Sequence, residues 1–188
     1  MIRYAILIIC FLLPPSYAES LKESREDAFF TQAGDVMQIA LPLSAAGYSL
    51  AIWDTEGLKQ YTYSFGATML AAYALKYSVG RPRPYQNPDE RGHSFPSGHT
   101  AAAFSGASYL QKRYGWRIGG PAYAAAAAVG YSRVWSRNHY LTDVLAGAAI
   151  ATTFSYVFTK PYDGKKEAVQ AACGANGNGG YLSLSMKF

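Results

Sequence analysis

Two of the chain's three histidines stand in patterns suited to chemistry on an anion. His99 ends the turn sequence Pro96-Ser97-Gly98-His99, which leads into the helical stretch "AAAFSGASYL". The first N–H groups of a helix lack intrahelical acceptors and lie at the positive end of its dipole, so Ser97 and Gly98 can present backbone donors to a tetrahedral oxyanion. His99 would stand beside that anion and could give a proton to a leaving oxygen. Taken alone, the same four residues are also an ordinary turn.

The second pattern is His139 followed four residues later by Asp143. Positions i and i+4 share one face of a helix. An aspartate below a histidine can accept one ring N–H and leave the other nitrogen free, so that the imidazole acts as a nucleophile or a base. We expect His139 to begin a helix, where the dipole disfavours the imidazolium. A lone pair of this kind is more often a contact on a helix surface.

Cationic side chains accompany both patterns. Lys76 lies at the end of a predicted helix, Arg83 lies in a loop stiffened by prolines, and Arg133 closes the predicted helix before His139. Guanidinium and ammonium groups match the oxygens of phosphate. Arg81 and Arg137 either widen this basic region or are simply solvated. No Cys/His or carboxylate cluster has the spacing of zinc ligands, so we expect no metal.

Three segments fill, in order and spacing, a known three-part signature. They are Lys-x6-Arg-Pro at Lys76, Arg83 and Pro84, Pro-Ser-Gly-His at Pro96 to His99, and Ser-Arg-x5-His-x3-Asp at Ser132, Arg133, His139 and Asp143. In these segments the chain resembles the type 2 phosphatidic acid phosphatase (PAP2) superfamily, which includes bacterial class A acid phosphatases and is related to vanadium haloperoxidases. The motifs extend over residues 76 to 143.

The resemblance implies a helical bundle of the PAP2/acid phosphatase type and an enzyme that needs no metal or other cofactor. It implies that His139 attacks phosphorus to form a phosphohistidine, that Asp143 orients His139, and that His99 protonates the leaving alcohol and then serves as a base for water. It assigns the phosphate oxygens to five positions: Lys76, Arg83, Ser97, Gly98 and Arg133. His93 has no place in the signature and is expected to be a loop histidine.

The surrounding sequence predicts an all-α fold. Helical stretches are expected at 34–53, 61–77, 100–114, 121–134 and 139–158, with a polar lead-in at 19–31 and a long Pro/Gly loop at 79–98. No strand pattern precedes the tail, so the core is a helical bundle. The tail divides into a flexible segment, "CGANGNGG", and the alternating "YLSLSMKF", which predicts a strand or an extended tail lying on the domain.

Length and charge suit a single exported domain. We divide the 188 residues into a signal peptide at 1–18, a PAP2-like phosphatase domain at 19–170 and a linker with a β-like tail at 171–188. The apolar run at 5–13 is shorter than the ~20 residues of a membrane span, although an uncleaved anchor is the alternative. Cleavage would leave Cys173 as the one cysteine and exclude an internal disulfide. The formal charge of +5 is scattered, which argues against nucleic acid.

These patterns favour an exported phosphatase, in the bacterial periplasm, that acts on phosphate monoesters, among them lipid phosphates or pyrophosphates. Its partners would be a phosphorylated small molecule or lipid and a membrane surface. The Ala-, Gly- and Tyr-rich helices have weak hydropathy for lipid, which favours a soluble or membrane-associated domain over an embedded one. Two alternatives remain, a vanadate-dependent haloperoxidase and a phosphate-binding or envelope interaction protein without turnover. The second would not need a nucleophile with its orienting carboxylate.

Overall fold

The computed structural model describes residues 15–164, 169–176 and 179–186, with side chains over 28–164. Its helical part consists of α1 (Pro15–Ala51), α2 (Thr55–Val79), α3 (Gly98–Tyr114), α4 (Trp116–Trp135) and α5 (Leu141–Phe158). The predicted all-α bundle is confirmed, and the long loop between α2 and α3 lies where the proline and glycine residues predicted it. Most of the expected signal peptide lies outside the described residues.

The central element of the bundle is α3, which packs against the other four helices. Small buried residues, Ala101, Ala103 and Ala107, let the neighbouring backbones come close to it. Tyr109 is fully buried on the same helix and satisfies its hydroxyl with Ser49 of α1 at 2.7 Å. Because α3 begins at the Ser97-Gly98 turn, the packing of the whole core fixes where that turn lies.

The first helix is longer than the sequence predicts. The expected lead-in at 19–31 and the helix at 34–53 are parts of one continuous helix, α1, which also contains Pro42. Gly34 lies at the expected boundary, but the backbone there packs directly against Ser132 and Arg133, where a Cβ atom would collide with both side chains. Close contact with α4 therefore outweighs the poor helix propensity of glycine.

A buried ion pair between Asp54 and Arg113 lies at the end of the bundle where α1 turns into α2. Asp54 caps α2 by accepting the N–H of Gly57 at 2.9 Å. Its carboxylate also accepts two N–H bonds from Arg113 near the end of α3, at 2.6 and 2.7 Å, and one O–H bond from Tyr114 at 2.7 Å. Because the ion pair is almost fully buried, these hydrogen bonds are needed to offset its desolvation.

The last helix begins two residues later than predicted, so the expectation that His139 begins it is wrong. Tyr140 is the N-cap and has an extended backbone conformation, while Asp143 lies in the first turn. The carboxylate of Asp143 accepts the Tyr140 N–H at 3.0 Å, which stabilises the helix start at Leu141. His139 therefore lies in the preceding turn, where its N–H donates to the carbonyl of Arg133 at 3.1 Å.

The tail forms an antiparallel hairpin of β1 (Val169–Asn176) and β2 (Gly179–Met186). The extended conformation predicted for the alternating segment is confirmed over 181–186. The flexible segment predicted from Cys173 onward is wrong for 173–176, because these residues pair in β1 with 179–182. A single strand leaves unpaired N–H and C=O groups, and the preceding segment supplies their partners.

Candidate active site

The three signature segments meet between the end of α2, the start of α3 and the start of α5. The Lys76 ammonium donates to the carbonyls of His93 and Pro96 at 2.8 and 3.0 Å, which ties α2 to the turn before α3. The Ser97 N–H donates to the carbonyl of Asp143 at 2.9 Å and ties the same turn to α5. Gly147 makes this approach feasible, since a Cβ there would lie 2.6 Å from the Ser97 carbonyl oxygen.

His139 and Asp143 are brought together, but a third residue lies between them. Nδ1 of His139 is 3.7 Å from Oδ2 of Asp143, beyond direct hydrogen-bond distance. The Ser94 hydroxyl donates to that carboxylate oxygen at 2.5 Å and lies 3.4 Å from Nδ1. All three side chains are buried. Ser94 therefore links the aspartate to the imidazole, a role for which its sequence context gave no signal.

Asp143 is surrounded by donors. The Arg81 guanidinium donates to Oδ1 at 2.8 Å and to the Thr142 hydroxyl at 2.7 Å, and it lies over the Tyr140 ring at 4.0 Å. Burying a carboxylate fully is costly unless opposite charge and hydrogen bonds replace its hydration. The sequence left open whether Arg81 was solvated, and the structure makes it the counter-ion of Asp143.

The His139 imidazole is kept neutral by its surroundings. Burial lowers the pKa of His139 to about 4, and the nearby charges of Arg83 and Lys76 act in the same direction, while Asp143 opposes them. Above that pH the ring carries a lone pair. Because Nδ1 faces Ser94 and Asp143, the other nitrogen, Nε2, is the one left for a substrate.

His99 occupies the first turn of α3 and retains partial solvent exposure. Its Nε2 lies 3.1 Å from Oδ1 of Asp35, on α1. Burial lowers the pKa of His99, as do the charges of Arg133 and Arg83, whereas the charge and hydrogen bond of Asp35 raise it. Asp35 lies far ahead of the signature segments, and nothing in its sequence context indicated this contact.

The expected anion donors at the α3 start are only partly available. The expectation that the Ser97 N–H faces an anion is wrong, since that group binds the Asp143 carbonyl. The Ser97 hydroxyl accepts the hydroxyl of Thr100 at 3.0 Å, so its own proton can still be donated. Gly98 and His99 are the first two residues of the helix, and their N–H groups have no intrahelical acceptor. Apart from its chain neighbours and the backbone of its own helix turn, no atom of the described residues lies within 4 Å of a Cβ built at Gly98, which leaves space beside these donors.

The three signature cations differ in how many donors they retain. Arg133 is buried and uses three N–H groups on Ser132, Asp35 and the Thr31 carbonyl, so that two of its five have no acceptor among the described residues. Lys76 uses two of its three N–H groups on carbonyls. The Arg83 side chain makes no hydrogen bond within the part of the chain that the structure describes, and its charge reaches both histidines.

The remaining candidates lie outside this cluster. The His93 ring packs edge-on against Tyr77 at 5.1 Å, as a loop histidine would. Arg137 is exposed in the turn after α4. Within the described ranges, no group of three His, Cys, Asp or Glu side chains could hold a metal ion.

A helical bundle that gathers two histidines, an aspartate and three cations around the N-terminus of its central helix defines a class of phosphate-ester hydrolases. The PAP2 superfamily model matches residues 57–166, and the chain belongs to this superfamily. This range covers every signature residue, whereas Asp35 lies outside it.

Known relatives agree with this class. The chain is 34% identical to the lipid A 4'-phosphatase of Helicobacter pylori over 146 residues, covering 72% of each protein. It is 32% identical to the lipid A 1-phosphatase of Porphyromonas gingivalis over 97% of its own length, although it spans only 46% of that relative. The solved structure of Aquifex aeolicus LpxE shares the fold, with a TM-score of 0.60, 23% identity and coverage of 80% of this chain and 89% of that one. The chain is therefore an enzyme of the phosphatase class.

Proposed function

We propose that this enzyme hydrolyses a lipid phosphate at a membrane surface through a phosphohistidine at His139. The observation that carries the proposal is the buried imidazole of His139, with its Nδ1 held toward Ser94 and Asp143 beside the start of α3. A binding protein would need the cations but no neutral imidazole supported by a carboxylate, so this arrangement favours turnover.

In the first step, the Nε2 lone pair of His139 attacks phosphorus. A P–N bond forms, the ester P–O bond breaks, and the leaving alkoxide takes a proton from His99. The imidazole becomes positively charged as it attacks, and the Asp143 carboxylate stabilises that charge through Ser94.

In the second step, water hydrolyses the phosphohistidine. His99, neutral after the first step, takes a proton from the attacking water. The new P–O bond forms as the P–N bond breaks, and His139 leaves as neutral imidazole. Each histidine thereby returns to its starting protonation state.

Fixed positive charge stabilises the transferring phosphoryl group. Lys76, Arg83 and Arg133 retain donors for its equatorial oxygens, and the Gly98 and His99 N–H groups add the positive end of the α3 dipole. The reaction as proposed draws its electrostatic stabilisation from these protein groups and needs no metal.

An exposed apolar stripe on α1 supports a lipid substrate. Val36, Ile39, Leu43 and Leu50 are all more than half exposed, and their spacing places them along one side of the helix. Such a stripe is suited to lipid contact. Within the described residues, α5 is the one helix whose length and composition would allow it to cross a membrane. The two relatives, a lipid A 4'-phosphatase and a lipid A 1-phosphatase, support the same substrate class.

Export to the periplasm belongs to the proposal as well. It is supported by the charged start and the apolar run at 5–13 of the sequence, which lie outside the described residues. The start of the Pro/Gly loop between α2 and α3, which carries Arg81 and Arg83, borders the site, and the side chains of this start would select between lipid phosphates and pyrophosphates.

The test is phosphate release by the purified full chain in mixed micelles. Substrates are a phosphorylated glycolipid of the lipid A type, a prenyl diphosphate and a water-soluble phosphate monoester. The wild type is expected to release phosphate fastest from the glycolipid, and His139→Asn is expected to lose the activity. Asp89→Asn, an exposed change in the loop before α3, serves as the control. Equal rates for the wild type and His139→Asn would contradict the proposal.

A further inference from the structure

A carboxylate from α1 contacts two of the signature residues at once. Oδ1 of Asp35 lies 3.1 Å from Nε2 of His99 and 2.7 Å from Nη1 of Arg133. One oxygen thus links the histidine that handles the leaving-group proton with a cation that holds phosphate. Asp35 belongs to none of the three signature segments and lies before the range of the family match.

The packing of α1 on α4 fixes this contact. The absence of a side chain at Gly34 lets the α1 backbone rest against Ser132 and Arg133. One turn earlier, the Thr31 carbonyl accepts a second N–H of Arg133 at 2.6 Å. The Arg133 side chain is only 3% exposed, so α1 is held against a buried guanidinium by two oxygens. The carboxylate is therefore positioned by the fold and not by chance contact of two mobile side chains.

We propose that Asp35 is the positioning residue of the acid–base step, holding Nε2 of His99 so that Nδ1 exchanges the proton with the leaving oxygen and with water. This inference rests on the proposed function and adds to it a residue outside the family signature.

The hydrogen-bonding chemistry of the two groups fixes the direction of transfer. An ionised carboxylate only accepts hydrogen bonds, so Nε2 of His99 must carry a proton whenever the contact with Asp35 exists. The proton that moves is then the one on Nδ1, which goes to the ester oxygen in the first step and is replaced from water in the second. His99 and Asp35 form a second imidazole–carboxylate pair. This pair transfers protons, whereas the pair of His139 and Asp143 supplies the nucleophile.

The charged groups that face His99 show why this partner is needed. Arg133 from α4 and Arg83 from the loop before α3 both favour loss of the ring proton, and burial does the same. Asp35 from α1 opposes all three. Without its negative charge, His99 would release its proton at a lower pH and would less often be protonated when the alcohol leaves.

The experiment compares Asp35→Asn, which removes the charge with little change in shape, with Asp35→Glu, which retains it. Asp89→Asn is the matched control, an acid-to-amide change at an exposed position. The first readout is the NMR titration of 15N-histidine-labelled full chain without substrate, in which His99→Ala assigns one of three signals. The second is kcat/KM against pH on the preferred substrate.

For Asp35→Asn we expect two shifts to lower pH of similar size. One is in the midpoint of the His99 NMR titration, and the other is in the high-pH limb along which kcat/KM decreases. Above that limb, activity should fall about tenfold, since one pH unit is a factor of ten and the half-exposed carboxylate is partly screened. Asp35→Glu should restore most of the limb, and Asp89→Asn should leave it in place. A uniform loss of activity with an unmoved His99 midpoint would overturn the proposal.

The two readouts separate this inference from the proposed function. If the wild type released no phosphate from any of the substrates but the His99 midpoint still moved in Asp35→Asn, the pairing would stand and the assigned activity would fall. If activity were present and the midpoint did not move, the pairing would fall and the activity would stand.

Discussion

Replacing Ser94 by alanine removes the hydroxyl that, among the described residues, bridges His139 and Asp143, while the Ser94 backbone, which also hydrogen-bonds the His139 ring, stays in place. The hydroxyl donates to Asp143 at 2.5 Å and lies 3.4 Å from the ring, while ring and carboxylate are 3.7 Å apart. Because the change deletes a single oxygen from a fully buried position, it opens little space. The effect should therefore come from the lost hydrogen bond and not from a cavity.

The size of the effect follows from what Asp143 retains. A hydrogen bond to a charged group contributes about 1.5–3 kcal/mol. Arg81 and the Tyr140 N–H still hold the carboxylate, so we expect unfolding to become easier by about 2 kcal/mol, toward the lower part of that range. The imidazolium that forms during attack loses its link to the aspartate, and kcat should fall by about 10- to 100-fold, or roughly 1.4–2.7 kcal/mol.

The assay combines urea unfolding with turnover. Ser78→Ala is the control, since that serine is exposed on α2 and, among the described residues, its hydroxyl bonds only to the carbonyl one turn earlier. Ser94→Ala should lower the unfolding midpoint at an unchanged slope and reduce kcat more than it changes KM. If Ser94→Ala matched Ser78→Ala in both midpoint and kcat, the bridging role of Ser94 would be refuted.

Three further predictions test the protonation states of the two histidines, the space for an anion beside Gly98 and the buried ion pair of Asp54. The kcat/KM profile should rise through about pH 4, where His139 loses its proton. It should decrease again at a pH below 6.5, the ordinary pKa of histidine, because His99 loses its proton there. A flat profile from pH 4 to 8 would contradict both roles. Gly98→Ala should leave thermal stability intact but lower the affinity for inorganic phosphate at least tenfold, because the methyl would enter the space beside the α3 donors; unchanged affinity by calorimetry would place the anion elsewhere. Asp54→Asn should cost about 3 kcal/mol of unfolding free energy, because the buried Arg113 loses its counter-ion, while kcat at low temperature stays near wild type; denaturant unfolding with the wild-type midpoint would show that the pair is not stabilising.

Much of the fold was accessible from the sequence. Helical stretches rich in alanine and tyrosine predicted the five helices that lie within residues 15–158, and the run of prolines and glycines before Ser97 predicted the long loop. Helix ends were harder, because they depend on contacts between distant residues. Gly34 did not end a helix since α4 packs against it, and His139 precedes α5 because the Asp143 carboxylate caps the Tyr140 N–H.

The candidate site likewise contains residues that the sequence indicated and partners that it did not. Spacing and resemblance together indicated eight candidate site residues, and the fold brings them to one place. Ser94, Arg81 and Asp35 were missed as partners because each acts only through a tertiary contact that local sequence does not encode. The Ser97 N–H was misassigned for the same reason, since its acceptor is a carbonyl on another helix.

The central claim is that His139 becomes covalently phosphorylated during turnover. The most direct measurement is rapid quenching of the enzyme with 32P-labelled substrate into alkali, where a phosphohistidine survives, followed by peptide mapping. Label on the peptide containing His139, released by acid and missing in His139→Asn, is the expected result. Phosphate release by the wild type with no protein-bound label at any quench time, or equal labelling of His139→Asn, would contradict the account.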